Sequence, residues 1–194
     1  MAINTFPTSV TAAVSAVVTG AGDVDLNSPT PCHGFDLRAL VNHVTGTTGA
    51  LARVGRREPL DPDDPYGAQQ DHTTGDWQAR LTSNLHELTR AWADPEAWQG
   101  TVDMGGHAMP ATMIGEMALA EVALHGWDLA KASGQPLTVE PETAAELLRG
   151  VQETAELGRQ MGAYGPTVAI ASDADDFDRA LAASGRNPDW VVGG

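Results

Sequence analysis

Cysteine and positive charge are scarce in this sequence, and each shortage excludes a class of protein. The 194 residues include one cysteine, Cys32, so no intramolecular disulfide can form. Eleven Lys and Arg stand against 26 Asp and Glu, which gives a formal net charge of −15. A chain with so few cations is poorly suited to neutralise phosphates. We therefore expect neither nucleic acid nor an anionic membrane surface as a partner.

Long apolar runs are also missing. The longest stretches, such as residues 12–18, are too short to span a bilayer. The N-terminus has no basic region ahead of an apolar one, as a signal peptide would have, so we expect a cytoplasmic location. Hydrophobic residues still make up 42 % of the chain, which is enough for a folded core. The length favours a single domain spanning residues 1–194.

Hydrophobic periodicity predicts six helices. They cover residues 9–18, 36–55, 77–93, 110–132, 142–161 and 173–183. The fourth helix is the longest and is apolar nearly all round, so it should be central and buried. Residues 58–74 and 100–109 are predicted to be loops, and residues 167–170 a short strand. Four long helices with at least one long crossover predict an all-α fold, a four-helix bundle with additional short helices.

Two of the ionisable residues in the largely apolar fourth helix are the first candidates for chemistry. Glu121 and His125 are four residues apart, so they share one helix face and can hold one metal ion between them. The pattern is common, and an ion pair or a hydrogen bond between the two side chains inside the bundle is the more frequent explanation. His43, in the middle of the second helix, would complete a set of three ligands. Three protein ligands with an open fourth position are typical of catalytic zinc sites.

The other histidines and the cysteine allow several interpretations. His33 and His107 each lie beside a glycine in a loop, where either could act as an acid, a base or a fourth ligand, or as an ordinary loop residue. His86 is predicted to be a partly exposed surface residue, and His72 to be solvent-exposed. Cys32 precedes a helix N-terminus, which lowers thiol pKa values, but packing in a tight loop explains it more simply.

Three segments resemble a known family. "TPCHGFDLRALVNHVTG" (30–46) and "AEVALHGWDLAKASGQ" (120–135) are similar to motifs of actinobacterial DinB-like proteins. Those proteins are related to the N-terminal domain of mycothiol-dependent maleylpyruvate isomerase. Residues 162–190 resemble the C-terminal segment of a single-domain subfamily of uncharacterised metal-binding proteins. The resemblance implies a DinB-like four-helix bundle with a divalent metal near its mouth, held by His43, Glu121 and His125.

The resemblance also implies a chemistry. Better-known family members use mycothiol or related thiols, so we expect a thiol transferase or isomerase that acts on a small-molecule substrate, with zinc as the metal and mycothiol as co-substrate. Nickel and iron suit the same ligands. The alternatives are a non-catalytic metal-binding or small-molecule-binding protein, and a metal enzyme that needs no thiol, for hydrolysis or cyclisation. The chain is expected to lack the second domain of the isomerase, and Phe35 replaces a common Trp. Monomer and homodimer both stay open.

The direction of packing decides which loop lies beside the metal. If the second and fourth helices are antiparallel, the ligands lie at the end of the bundle that carries residues 27–35, and residues 100–109 lie at the opposite end. This selects His33 over His107 as the candidate catalytic residue. Trp127 should point away from the ligands. Asp128 should anchor a neighbouring segment or the polar end of the helix rather than bind the metal.

Overall fold

A computed structural model describes residues 4–192, so both ends of the predicted domain lie outside the described residues. The helices are α1 (Thr8–Gly20), α2 (Leu37–Gly55), α3 (Trp77–Ala91), α4 (Ala111–Ala132), α5 (Pro141–Gln160) and α6 (Asp176–Ala183). A short 3₁₀ helix (Pro95–Trp98) and two strands, β1 (Thr101–Asp103) and β2 (Ala108–Pro110), lie between α3 and α4. The predicted all-α fold is confirmed.

Helices α1 to α4 form the bundle. Helix α1 packs against α3 and α4, and α2 packs against the same two helices from the other side. Residues along α4, such as Ile114, Ala118 and Val122, are fully buried, as the apolar sequence of this helix predicts. Helix α5 packs against α4 outside the bundle and also contacts α6. Within the described residues, none of the helices is long and apolar enough to cross a membrane.

Aspartate side chains fix where three of the helices begin. The carboxylate of Asp36 accepts a hydrogen bond from the Ala39 amide at 2.8 Å, so α2 starts where the sequence predicts. Asp76 caps α3 in the same way. Asp175 caps α6, and this helix therefore begins three residues later than predicted. At the other end of α3, the helix stops at Ala91, two residues earlier than predicted.

The structure contradicts two predictions about the connections. Residues 100–109 are not a plain loop, because β1 and β2 form an antiparallel hairpin in which Val102 lies opposite Met109. Residues 167–170 do not form a strand. Their backbone runs beside the end of α6, where the Val168 amide donates to the Ala182 carbonyl, and this contact does not amount to a strand ladder.

The long connection between α2 and α3 folds back onto α2. A Cβ on Gly46 would collide with the Tyr66 carbonyl, so glycine permits the close approach. The His72 amide donates to the Asn42 side chain, and the His72 ring lies 2.9 Å from the Gly67 carbonyl. His72 is therefore half-buried, and the prediction that it is exposed is wrong.

Helices α2 and α4 are antiparallel. At the C-terminal end of α2, the Arg57 guanidinium donates to the carbonyls of Gln99 and Thr101, shortly before α4 begins. Near the N-terminal end of α2, His43 contacts Glu121 in the second half of α4. We call the end with the N-terminus of α2 the site end, and the end with the β1–β2 hairpin the hairpin end.

Candidate metal centre

The structure brings together the three predicted ligands at the site end. Glu121 and His125 lie one turn apart on the face of α4 that meets α2. The Glu121 Oε2 atom is 3.2 Å from Nε2 of His43 and 3.5 Å from Nε2 of His125. The two imidazole rings meet edge to face, with 4.9 Å between their centroids. Two elements far apart in sequence thus place three potential ligand atoms around one point.

The donor set and its spacing fit a divalent metal ion. One ligand atom from each residue lies within 4.8 Å of the other two. Tetrahedral zinc with bonds of about 2.0–2.1 Å separates its ligand atoms by about 3.3 Å, close to both measured distances. The exposed side-chain fraction falls from 35 % at His43 to 23 % at Glu121 and 11 % at His125. The centre is therefore open to solvent on the His43 side, where a small molecule can approach.

The electrostatics of Glu121 suit a metal ligand. Burial would raise the pKa of this carboxyl group, but His125 and the hydrogen bond to His43 outweigh it, and the pKa is lowered. The side chain is therefore an anionic carboxylate at neutral pH, as a metal ligand must be.

Asp128 determines which nitrogen of His125 faces the centre. Its Oδ2 atom lies 2.9 Å from Nδ1 of His125, and the Asp128 side chain is fully buried. A carboxylate can only accept, so Nδ1–H donates, and Nε2 is the nitrogen that faces Glu121. A histidine oriented by a carboxylate is a common arrangement in metal sites. Trp127 is buried in the core, under the Lys131 ammonium, as expected for a side chain directed away from the ligands.

Arg186 forms an ion pair with Asp128, and the sequence analysis did not predict this role for it. Its Nε is 3.0 Å from Oδ1, and its Nη2 is 2.8 Å from Oδ2. Burial would raise the pKa of Asp128 and lower that of Arg186, but their mutual attraction outweighs this, so the pKa of Asp128 is lowered and that of Arg186 raised. This ion pair agrees with the expectation that Asp128 anchors a neighbouring segment. The two residues are 58 positions apart, so no local sequence pattern predicts the pair.

The loop before α2 forms one wall of the centre. Phe35 meets the His43 ring edge to face at 5.5 Å. The Cys32 sulfur lies within 4.8 Å of ligand atoms of His125 and Asp128. Burial, assisted by Asp128, raises the pKa of the Cys32 thiol to about 11, so it stays protonated and fits the interpretation of a packed loop residue. His33, the next residue, is exposed and joins neither group of candidate ligands. Its catalytic role stays a prediction.

Three other side chains that could carry chemistry do not belong to either group of candidate ligands. Tyr164, which the sequence analysis did not single out, packs its ring against Gly158 of α5. Burial and the nearby Glu121 carboxylate raise the pKa of Tyr164. His86 is exposed on α3, as predicted, and His107 is exposed in the hairpin. The antiparallel packing of α2 and α4 places His107 at the hairpin end, away from the candidate centre.

Comparison with known proteins identifies related chains. Two uncharacterised proteins, from two strains of Mycobacterium tuberculosis, are each 28 % identical over 136 residues, which is 70 % of this chain and 70 % of theirs. A crystal structure of mycothiol-dependent maleylpyruvate isomerase superposes with a TM-score of 0.60 at 20 % identity, over 95 % of this chain and 89 % of that one. A point mutant of the isomerase gives a TM-score of 0.56 at 19 % identity, over 78 % of this chain and 70 % of that one.

At these identities the structural likeness shows a shared fold. The family is shown by sequence, because the profile of the mycothiol maleylpyruvate isomerase N-terminal domain matches residues 8–130. That region contains α1 to α3 and all but the last two residues of α4, and so includes His43, Glu121 and His125. Since the match covers more than half of the chain, this protein belongs to the mycothiol maleylpyruvate isomerase N-terminal domain family.

Proposed function

We propose that this protein is a divalent-metal-dependent enzyme that uses a low-molecular-weight thiol, namely mycothiol, to transfer or isomerise a small molecule. The observation that carries the proposal is the convergence of His43, Glu121 and His125 beside an opening to solvent. Two solved structures with the same fold are of an isomerase described as mycothiol-dependent. Zinc is the proposed metal, and nickel and iron suit the same donors. The proposal concerns the class of reaction and leaves the substrate open.

The residues around the centre would have different roles. His43, Glu121 and His125 would hold the metal, and Asp128 orients His125 through Nδ1. A divalent ion at this position acts as a Lewis acid and lowers the pKa of a thiol that reaches it. Phe35 packs edge to face against the His43 ring and would help to hold its orientation.

The one thiol of the chain is poorly suited as a nucleophile while no metal is bound. Cys32 is the one cysteine in the sequence, and burial raises its pKa to about 11. A thiol that is not ionised is a poor nucleophile. This supports a soluble thiol as the co-substrate of the proposed reaction.

A thiol-transfer assay with metal and thiol controls tests the proposal. The zinc-loaded protein is mixed with mycothiol and either an electrophilic aryl chloride or maleylpyruvate, and product formation is followed. We expect turnover only when both thiol and metal are present. Removing the metal with a chelator should abolish turnover, and adding zinc should restore it. Turnover without thiol would instead indicate hydrolysis or cyclisation, and no turnover with any substrate would indicate a binding protein.

The two loop histidines give a matched pair for testing the catalytic role of His33. The loop of His33 contacts the centre through Phe35, whereas His107 lies at the hairpin end. We expect His33→Ala to lower turnover by roughly tenfold or more, as the loss of a general acid or base does, and to leave zinc binding unchanged. His107→Ala should change neither. A silent His33→Ala together with an inactive His107→Ala would show that the wrong histidine has been assigned.

A further inference from the structure

The C-terminal segment after α6 contributes a buried cation beside the candidate metal centre. Only 6 % of the Arg186 side chain is exposed. Its backbone amide donates to the Leu181 carbonyl, and its Nη1 donates to the Ser184 hydroxyl at 3.1 Å. The guanidinium is thus fixed from its own side by the end of α6. The family match ends at residue 130, so this arginine lies outside the matched region.

A second contact keeps the same segment against α4. The Lys131 ammonium donates to the Pro188 carbonyl at 3.0 Å, one turn beyond Asp128 on α4. The segment therefore contacts α4 at two residues about one turn apart, Asp128 and Lys131. This places Arg186 where its planar fork faces the Asp128 carboxylate, and a bidentate pair fixes direction as well as distance.

Asp128 transmits this placement to His125. Its Oδ2 atom accepts from Nη2 of Arg186 at 2.8 Å and from Nδ1 of His125 at 2.9 Å. His125 and Arg186 account for all the side-chain hydrogen bonds of Asp128 among the described residues. Without the guanidinium, the carboxylate keeps the bond to His125 but loses the contacts that fix its plane.

We infer that Arg186 is a positioning residue for the metal centre. By fixing the Asp128 carboxylate, it holds Nδ1–H of His125 and so directs Nε2 at the position shared with Glu121 and His43. The inference rests on the proposed function, because it takes these three side chains to be the metal ligands. It adds that a residue from the C-terminal segment sets how tightly the centre binds its ion.

Zinc affinity in a double-mutant cycle tests the inference. Affinity is measured by competition with a chromophoric chelator on the full chain, for wild type, Arg186→Met, Asp128→Asn and the double variant. Loss of groups that orient a metal ligand weakens metal binding by about 10- to 100-fold. We expect each single variant to show a loss of this size. The double variant should be no worse than either, because both residues act on the same ring nitrogen: Asp128 accepts from Nδ1 of His125, and Arg186 fixes Asp128 and lies 3.3 Å from Nδ1.

A spectroscopic readout and a control variant separate positioning from stability. The absorption spectrum of the cobalt-substituted protein reports the geometry around the ion, and it should change in Arg186→Met. Arg149 of α5 forms ion pairs with Glu116 on α4 and with Glu146 and Glu153 on its own helix, but contacts none of the candidate ligands. Arg149→Met should therefore leave the zinc affinity and the cobalt spectrum unchanged. A purely structural Arg186 would lower the melting temperature and leave the zinc affinity of the folded protein as it is.

The remaining outcomes are also decisive. If Arg186→Met does not fold, Arg186→Lys keeps the charge but not the planar fork, and it should still weaken zinc binding. Wild-type affinity in a folded Arg186 variant, or additive losses in the double variant, would overturn the inference. If the variant that lacks all three ligands keeps its metal, the proposed site itself has failed, whatever the Arg186 variants show.

Discussion

Replacing His125 by Ala should weaken zinc binding by about 100-fold or more, and replacing His43 or Glu121 should have a comparable effect. Structural zinc sites with four ligands bind with roughly 10–16 kcal/mol, or about 3 kcal/mol for each ligand, which corresponds to about 100-fold in affinity. Removing one of three ligands should cost at least this much, because only two are left. Elemental analysis and chelator competition on the purified variants measure the loss.

The histidine on α3 provides the control. His86 is exposed and lies outside both groups of candidate ligands. His86→Ala should bind zinc like the wild type, which separates the loss of a ligand from the loss of any histidine. A variant in which all three ligands are Ala should purify without metal. Stoichiometric metal in that variant would place the site elsewhere.

The second large effect concerns stability and should leave the metal centre intact. Trp92 is fully buried at the hairpin end, its Nε1 donates to the Leu51 carbonyl at 2.9 Å, and its ring meets that of Trp98. Trp92→Ala should destabilise the fold by about 3–5 kcal/mol, because it removes this packing and leaves a cavity. For a chain of this length, that corresponds to a melting temperature lower by roughly 10 °C or more.

A conservative variant and the zinc assay make this prediction specific. Trp92→Phe retains an aromatic ring but loses the hydrogen bond to Leu51. It should lower the free energy of unfolding by about 1 kcal/mol for the bond, plus a cavity cost smaller than that of Trp92→Ala. Thermal unfolding measures both variants. Because Trp92 lies at the opposite end of the bundle, each folded variant should bind zinc with wild-type affinity. A large fall in affinity would mean that the two ends of the bundle are not independent.

Local patterns account for the part of the fold that could be predicted. The cap formed by Asp36 involves an amide three residues away, so the start of α2 is visible in the sequence. The hairpin is different, because each of its strands has three residues, too few for an alternating pattern to stand out. Its position depends on α4, which directly follows β2, and on Arg57, which donates to the Thr101 carbonyl from 44 residues away. Such contacts leave no periodic signal.

The residues of the candidate centre also differ in how far local sequence predicts them. Glu121 and His125 are one helical turn apart, so their shared face follows from helix geometry. The proximity of His43 depends on how α2 and α4 pack, and the family resemblance supplied that information. Arg186 lies in a short polar loop, where an arginine is usually exposed. Only the folded chain shows that it is buried against Asp128.

The separation of the two ends of the bundle has a practical use in labelling. The hairpin tip at Gly105 and Gly106 is exposed and points away from the centre, and side-chain atoms added at Gly106 would meet open space. Exposed tips of this kind accept inserted peptides well. An affinity tag or a fluorescent reporter inserted after Gly106 would leave the site end free. Maleimide dyes are less suitable, because the one cysteine available to them, Cys32, lies against the centre.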